Sequence, residues 1–360
     1  MRSGPPDDMI PRQLTWRCRI RSWLGDQLLG DLPKPVSGRV VWTLDSKVQG
    51  SLSGLSFAAG RTGEWIPGTQ ADHPLAKNGQ QLQVTLITGT PDGLRTWETP
   101  VGRFQIEDWD LDDSGHVSVA AKSMLRRWET EAIATPTSTG GSLIALARRL
   151  VPTGCGLIVS PDLADRTVNN FDIGDSRIDS LYSLGDAWPC RVREDDDGNV
   201  LLLPPLPGAP EPVLTLRDGE GGTAVSALPS DSRDGAFNQI IARSTENRDD
   251  TDIPRFQAVA TQQSGVMAAR TYGVVTKTWA SPLLTSQAAA ELSAQTMLRN
   301  SLTSARIVPV TGAPDPRPML DDATIVEHRD LGRVIGLIRG VDLPLAPHSG
   351  EMRIDVGVIA

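Results

Sequence analysis

The chain has 360 residues, 39% hydrophobic and 22% charged, so it can bury a real core. At roughly 100–200 residues per domain it is long enough for more than one. It contains no run of about 18 apolar residues that could serve as a membrane-spanning helix. The proline-rich, polar start Met1–Pro11 lacks the apolar stretch of a secretory signal. Net charge is −9 and is unevenly placed: residues 126–235 carry 10 basic and 17 acidic side chains, while the flanking sections are nearly balanced. No section has a basic excess, so binding DNA through neutralised phosphates finds no support. An acidic surface lets DNA pass without sticking, and it serves ordinary solubility equally well.

Taken along the chain, the first section reads as β. Arg39–Leu44 is rich in β-branched and aromatic residues, and Gln81–Leu86 alternates polar and apolar with the period of a strand that buries one face. Thr90-Pro91-Asp92-Gly93 is a turn, since Pro fixes φ and Gly accepts a positive one. Val101–Ile106 alternates again, Asp112–Gly115 turns the chain, and His116–Ala120 returns it as a hairpin. Short strands separated by turns predict a small barrel or sandwich.

Near Met124 the pattern changes. Leu143, Leu146, Ala147 and Leu150 fall at i, i+3, i+4 and i+7, which predicts a helix from Ser142 to Leu150 with Arg148 and Arg149 at its C-terminal end. A second short helix is expected after Asp175 or Ser176, with Ile178, Leu181 and Tyr182 inward. Cys190–Arg193 and Val200–Leu203 flank the acidic stretch Glu194–Asn199 and read as a hairpin with a solvated tip. Pro204–Pro212 reads as an extended linker.

The β pattern resumes at Asn238–Arg243. A helix capped by Thr285 or Ser286 is expected to run to about Leu302, with Ala288, Leu292, Leu298 and Leu302 on one face against a sheet. Ala305–Val310, Ala323–Glu327, Arg333–Val341 and Met352–Ile359 read as four strands closing a small β domain. The chain is thus mainly β with an α+β insertion. The sections 36–125 and 236–360 read as two related β units on either side of a middle domain at 126–235, after an N-terminal arm at 1–35. Their sequences do not align residue by residue.

Candidate chemistry is sparse. Cys18, Cys155 and Cys190 lie far apart, which fits buried small apolar residues better than a zinc site. His73, His116, His328 and His348 show no ligand spacing, and His116 and His348 read as surface residues. Placing Gly198 as the glycine of a calcium loop would put Arg193 at its first ligand position and Pro204 at its last, so that register fails. Asp108, Asp110, Asp112 and Asp113 fit a strand end and turn, and Gly219–Gly222 lacks the lysine of a phosphate loop. No catalytic residue, cofactor or metal is implied, and the chain reads as a non-enzyme.

Nine tryptophans stand against two tyrosines. Trp42, Trp97 and Trp109 fall on expected strands and suit core packing. In the first 35 residues, Trp16 and Trp23 lie among Arg12, Arg17, Arg19 and Arg21, the residue types that anchor protein contacts. Trp16, Trp23, Arg19 and Arg21 are therefore interface candidates on a docking arm. The alternative of equal weight is that Trp16–Ile20 is the first strand of the barrel.

The order of features resembles the hub proteins at the tail tip of long-tailed phages, the minor tail proteins of actinobacterial phages, which are similar to the baseplate hub of contractile tails. Four stretches carry the resemblance. They are Trp65 with Asp72–Leu82; Val101–Ile106 with the turn and strand after it; the helices and hairpin up to Asp197-Gly198-Asn199-Val200; and Tyr272-Gly273 followed by the Ala-rich helix, Pro314-Asp315-Pro316, Asp321-Asp322 and Val341–Leu345. Together they span most of residues 36–360, and the first 35 residues lie outside the pattern. The resemblance implies two small tube-like β-barrel domains flanking the α+β domain. It also implies a homotrimeric ring at the distal tip of the virion tail, made in the bacterial host cytoplasm. The partners it implies are a distal tail protein, a tape measure protein and tip or fibre proteins, with DNA passing through without specific binding and the host envelope met at infection. A cell-wall hydrolase and a receptor- or carbohydrate-binding tail protein are the alternatives.

Overall fold

A computed structural model describes residues 1–11, 14–228, 230–231, 236–248, 252–346 and 349–359. Arg12 of the N-terminal segment and His348, expected on a surface loop, lie outside the described residues.

The first barrel is contiguous in sequence. Its strands are β1 (Thr15–Leu24), β2 (Gln27–Asp31), β3 (Ser37–Thr43), β4 (Gly50–Ala58), β5 (Gln80–Gly89), β6 (Thr96–Leu111) and β7 (His116–Ser123). They pair in the order β2-β1-β5-β6-β7-β4-β3. β7 alternates as its sequence dictates, with Val117, Val119 and Ala121 buried and Ser118, Ala120 and Lys122 exposed. β5 departs from the expected one-sided strand, because Gln80, Gln81, Thr85 and Thr88 are buried as well as Leu82, Val84 and Leu86. The cover is the irregular segment between β4 and β5. Gln80 Nε2 donates to the carbonyls of Ala71 (2.7 Å) and His73 (3.1 Å), and Ser22 Oγ donates to that of Pro74 (2.6 Å). His73 is buried there, its Nε2 on the Glu64 carbonyl at 2.9 Å and its Nδ1 accepting from Leu75 N at 3.1 Å.

The N-terminal segment is not separate from this barrel. β1 pairs with β5 from Thr15 opposite Gly89 to Leu24 opposite Gln80. The strand alternative of the sequence is realised and runs past Ile20, because β5 would otherwise leave an edge of unpaired amides against the core. A boundary at residue 35 therefore cuts through one sheet.

The α+β unit follows: α1 (Leu125–Thr130), β8 (Thr137–Ser142), α2 (Leu143–Arg149), β9 (Leu157–Val159), β10 (Thr167–Ile173), α3 (Arg177–Ala187), β11 (Arg191–Glu194) and β12 (Val200–Leu203). The two expected helices are present. Ser142 caps α2 by accepting from Ala145 N, and Ser176 caps α3 by accepting from Asp179 N. Leu143, Leu146, Ala147, Leu150, Ile178 and Leu181 meet in one core with Trp128 and Val200. The hairpin tip is solvated only in part: Asp197 is exposed as expected, but Glu194 and Gly198 are buried against the start of α1. A Cβ on Gly198 would come within 2.4 Å of Met124 Cγ.

The remaining elements are β13 (Leu214–Arg217), β14 (Ala224–Ala227), β15 (Ser230–Asp231), β16 (Gln239–Ser244), β17 (Gln257–Thr261), α4 (Ala269–Tyr272), β18 (Thr276–Ser281), α5 (Gln287–Ala305), β19 (Arg306–Gly312), β20 (Ala323–His328), β21 (Gly332–Pro344) and β22 (Met352–Val358). The second barrel is drawn from two pieces, because β13, β14 and β15 pair with β20 and β19, about a hundred residues onward. The section from 236 to 305 is instead a layer of its own, with β17-β16-β18 under α5. α5 is capped by Ser286, but its buried face is Ala289, Ala290, Ser293, Ala294 and Leu298, while Ala288 and Leu292 are exposed. Small side chains turn inward because they let the helix lie close on β16 and β17. The sequence reading followed the larger leucines instead.

The two barrels share a strand order. β1-β5-β6-β7-β4-β3 in the first corresponds to β13-β20-β21-β22-β19-β14 in the second. Both long strands carry a bulge at the same place, between Ile106 and Asp108 in β6 and between Ile338 and Gly340 in β21. β3 also pairs with the end of β21, which joins the barrels into one sheet of fourteen strands over one core.

Candidate assembly site

The junction of the barrels is the most heavily fastened part of the molecule. β3 lies antiparallel to β21, from Gly340 opposite Thr43 to Pro344 opposite Arg39. Arg39 locks the pair: its Nε donates to Asp342 Oδ1 at 2.5 Å, and its other nitrogens donate to the carbonyls of Ser349, Asp342 and Glu351. Trp42 is buried beneath, with Nε1 donating to the Val101 carbonyl at 3.1 Å and its ring 5.6 Å from that of Phe104.

The hairpin β11–β12 rivets the α+β unit to both barrels. Arg191 and Arg193 both donate to Asp321 Oδ2 on the second barrel, at 2.7 and 2.6 Å. Asp321 has φ +71°, the only positive φ of a non-glycine among the described residues. That conformation is costly for a residue with a Cβ and persists where its surroundings dictate it. Burial opposes ionisation of Asp321, but Arg193 and Arg191 outweigh it and hold the carboxyl below its usual range. Glu194 points the other way and accepts from the amides of Met124 (2.7 Å) and Leu125 (3.2 Å) at the start of α1. Its burial pushes the carboxyl up to about 7 despite those bonds and one from Ser123. Gln49 Nε2 donates to the Val192 carbonyl at 2.8 Å, and Arg2 Nε holds Asp196 at 2.7 Å.

The sequence-predicted interface residues all lie on β1. Arg19 makes a two-pronged bond to Glu98 at 3.0 and 2.5 Å, and Arg21 pairs with Asp31 at 3.0 Å. Trp16 packs half-buried on the barrel core, and Trp23 lies under the Arg103 guanidinium, 5.7 Å from its centre. All four thus have partners inside the chain. The residues that fasten the units, Arg191, Arg193, Glu194, Asp321, Arg39 and Asp342, were not singled out as contacts in the sequence, although Asp321 and Asp342 fall in stretches that carry the resemblance. The alternation Arg191-Val192-Arg193-Glu194 was the available signal, since a strand with charges on both faces needs partners on both.

The acidic turn at the end of β6 is self-satisfied. Asp112 Oδ1 accepts from Ser114 N (2.9 Å) and His116 N (2.8 Å). Among the described residues no group of three or more His, Cys, Asp or Glu is placed to hold a metal ion. Cys18, Cys155 and Cys190 are free and half-buried, and burial pushes their thiols up to about 12, 11 and 12. Among the described residues no helix is long and apolar enough to cross a membrane.

Among the described residues, the open strand edges of the fourteen-stranded sheet include two besides those of β2 and β13. The outer edge of β14 and β15 has no partner strand among the described residues, and neither does Asp108–Leu111 on the side where β5 ends. On the latter, the amides of Trp109 and Leu111 donate to the carboxylates of Asp108 and Asp110, both at 3.0 Å.

No protein-family model matches the chain, and no curated protein is similar to it in sequence. Solved structures match it in fold. A tail protein from Neisseria meningitidis superposes with TM-score 0.67 at 11% identity, over 94% of this chain and 96% of that one. The 43 kDa tail protein of prophage MuSo2 from Shewanella oneidensis gives 0.65 at 14% identity, over 94% and 98%. Prophage tail protein gp18 from Listeria monocytogenes gives 0.60 at 10% identity, over 94% of both chains. The fold is that of phage tail proteins, two like barrels in one β-rich chain with helical insertions.

Proposed function

We propose that this chain is a structural hub subunit of a phage tail tip and works by assembling into a homotrimeric ring. The observation that carries this reading is the fusion of two barrels of one strand order into one sheet. Such a subunit presents two similar faces, so three copies would offer six. A ring of that kind could meet a six-fold tube on one side and a three-fold tip on the other. The superposition on prophage tail proteins over nearly the whole chain supports the tail assignment. The partners in this reading are the distal tail protein, the tape measure protein and the tip or fibre proteins of the same virion, with the host envelope reached during infection. DNA would pass through the ring without specific binding, in keeping with net charge −9 and no basic section. In this reading the chain is not an enzyme, and Arg19, Arg21 and Trp23 share a face of β1 turned to a neighbouring tail protein, while Trp16 on the other face packs on the barrel core.

Native mass measurement of the purified protein, together with imaging of tails that carry a label on this chain, tests the proposal. A ring of three located at the distal tip is the expected result. A monomer in the assembled tail, a location along the shaft, or release of cell-wall fragments by the purified protein would overturn it.

A further inference from the structure

Where the two barrels, the α+β unit and α5 meet, the chain gathers more positive charge than it neutralises. A cavity of about 230 Å³ lies there, with walls drawn from all four parts. Arg191, Arg193, Arg299 and Arg339 line it, against a single carboxylate among the lining residues, that of Asp321. Asp321 is already engaged by Arg191 and Arg193, both on its Oδ2. Arg339 has Asp45, 3.7 Å from its Nη2 and 83% exposed, while its own side chain is 15% exposed and its Nε donates to nothing. Burial holds this guanidinium below its ordinary value, and the nearby charge of Arg193 adds to that against the pull of Asp45 and Asp321. Arg299 stands exposed on α5 at the mouth, with Nη1 on the Leu206 carbonyl at 2.5 Å. The Tyr182 hydroxyl, also on the wall, is pushed up to about 12, chiefly by burial, so it stays neutral and supplies no counter-charge.

Gln49 lines the same cavity and is 3% exposed. Its Nε2 donates to the Tyr182 hydroxyl at 3.0 Å and to the Val192 carbonyl at 2.8 Å. A carbonyl only accepts, so the orientation of the amide is fixed, and Gln49 Oε1 is left without a donor. Buried polar groups without partners destabilise a fold unless something fills the gap. Water can donate to Gln49 but brings no charge to the arginines. A ligand that answers both is an anion that still carries a proton.

We propose that this cavity binds one hydrogen phosphate ion. Its unprotonated oxygens accept from the guanidinium groups that Asp321 leaves unsatisfied, and its P–OH donates to Gln49 Oε1. Sulfate has the same shape but no proton at neutral pH, so it suits the arginines and not Gln49. A DNA phosphodiester fails for the same reason, in keeping with DNA passing without specific binding. Held there, the ion ties the β3–β4 turn, the β11–β12 hairpin, α5 and β21 at one point. The site lies within one chain and does not depend on the ring reading above.

Equilibrium dialysis of the full chain against labelled inorganic phosphate at pH 7 and fixed ionic strength tests the site, with melting followed in the same buffers. One phosphate should bind per chain. The melting temperature should rise and level off over the millimolar range, because an ion bound only by the folded state stabilises it by mass action. Sulfate should compete about tenfold less well, the loss of roughly one buried hydrogen bond. Arg299→Gln changes an exposed residue, so it should melt like the wild type without phosphate and bind phosphate about tenfold more weakly. Any one of three results overturns the proposal: no phosphate bound by the wild type, sulfate competing as well as phosphate, or unchanged affinity in a folded Arg299→Gln chain.

Discussion

The two barrels reach one strand order by different routes along the chain. In the first, β3 and β4 are joined by a six-residue turn, Leu44–Gln49, and the barrel's strands from Thr15 to Ser123 are contiguous. In the second, the same connection, from β15 to β19, is replaced by the whole layer of β16–β18 and α5. The comparison teaches that the core, and not the length of the connection, holds the topology. Closing a longer loop costs only about 0.6 kcal/mol for each doubling of its length, a small charge against a continuous apolar core. It also explains where fasteners are needed. Both barrels bond the β11–β12 hairpin, but the contiguous one is also tied by unbroken succession of its own strands, whereas the interrupted one receives the hairpin's two arginines at Asp321.

The sharpest break of this comparison is at Asp321. Asp321→Ala leaves Arg191 and Arg193, only 20% and 17% exposed, without their carboxylate. Stranding one side of a buried ion pair costs about 3–5 kcal/mol. Urea unfolding should show that loss, and hydrogen exchange should show protection falling in β20 and β21 while β5 and β6 stay protected. Equal loosening of both barrels would mean that the hairpin does not pin the second one selectively. Trp42→Ala should be comparable in size, about 3–5 kcal/mol for a large aromatic removed from a core. Its effect should reach both barrels, because Trp42 lies on β3, at their junction.

A smaller effect concerns pH. The folded carboxyl of Glu194 sits at about 7, against an ordinary value of 4.5. The folded state therefore holds this proton more tightly than the unfolded one. The sign follows: this group subtracts stability as pH rises from about 4.5 to about 7 and changes nothing further above that. Stability curves of wild type and Glu194→Gln, measured by urea unfolding across that window, should differ in slope, the variant lacking this decline. Parallel curves would show that Glu194 does not titrate there. Smaller again are the helix caps. Ser142→Ala and Ser176→Ala each remove one side-chain acceptor at a helix start and should cost about 1 kcal/mol in thermal or urea unfolding. Arg21→Ala, which breaks a largely exposed pair with Asp31, should change stability by about 0–1 kcal/mol.

Elements governed by local pattern were legible in advance. Leu143, Leu146, Ala147 and Leu150 are all fully buried, as a 3.6-residue period requires, and β19 to β22 fall close to the four strands read from alternation. The face of α5 was misread because Ala-rich helices carry a weak apolar signal. Tight approach to a sheet then selects small residues over large ones. The candidate site was legible only as a class. Trp16, Trp23, Arg19 and Arg21 stood out by composition, but composition does not show that Arg19 already holds Glu98 or that Trp23 already lies under Arg103.

By itself the sequence determined the β-rich class, the caps at Ser142 and Ser176, the turns and the order of features that resembles tail hubs, because each depends on residues within a few positions of one another. Only the tertiary structure decided that β1 completes the first barrel, that β13 and β14 cross a long insertion to build the second, and that β3 and β21 weld the two. Those pairings are made by backbone groups that every residue carries, between segments more than about fifty residues apart, so nothing in their side chains announces the partner.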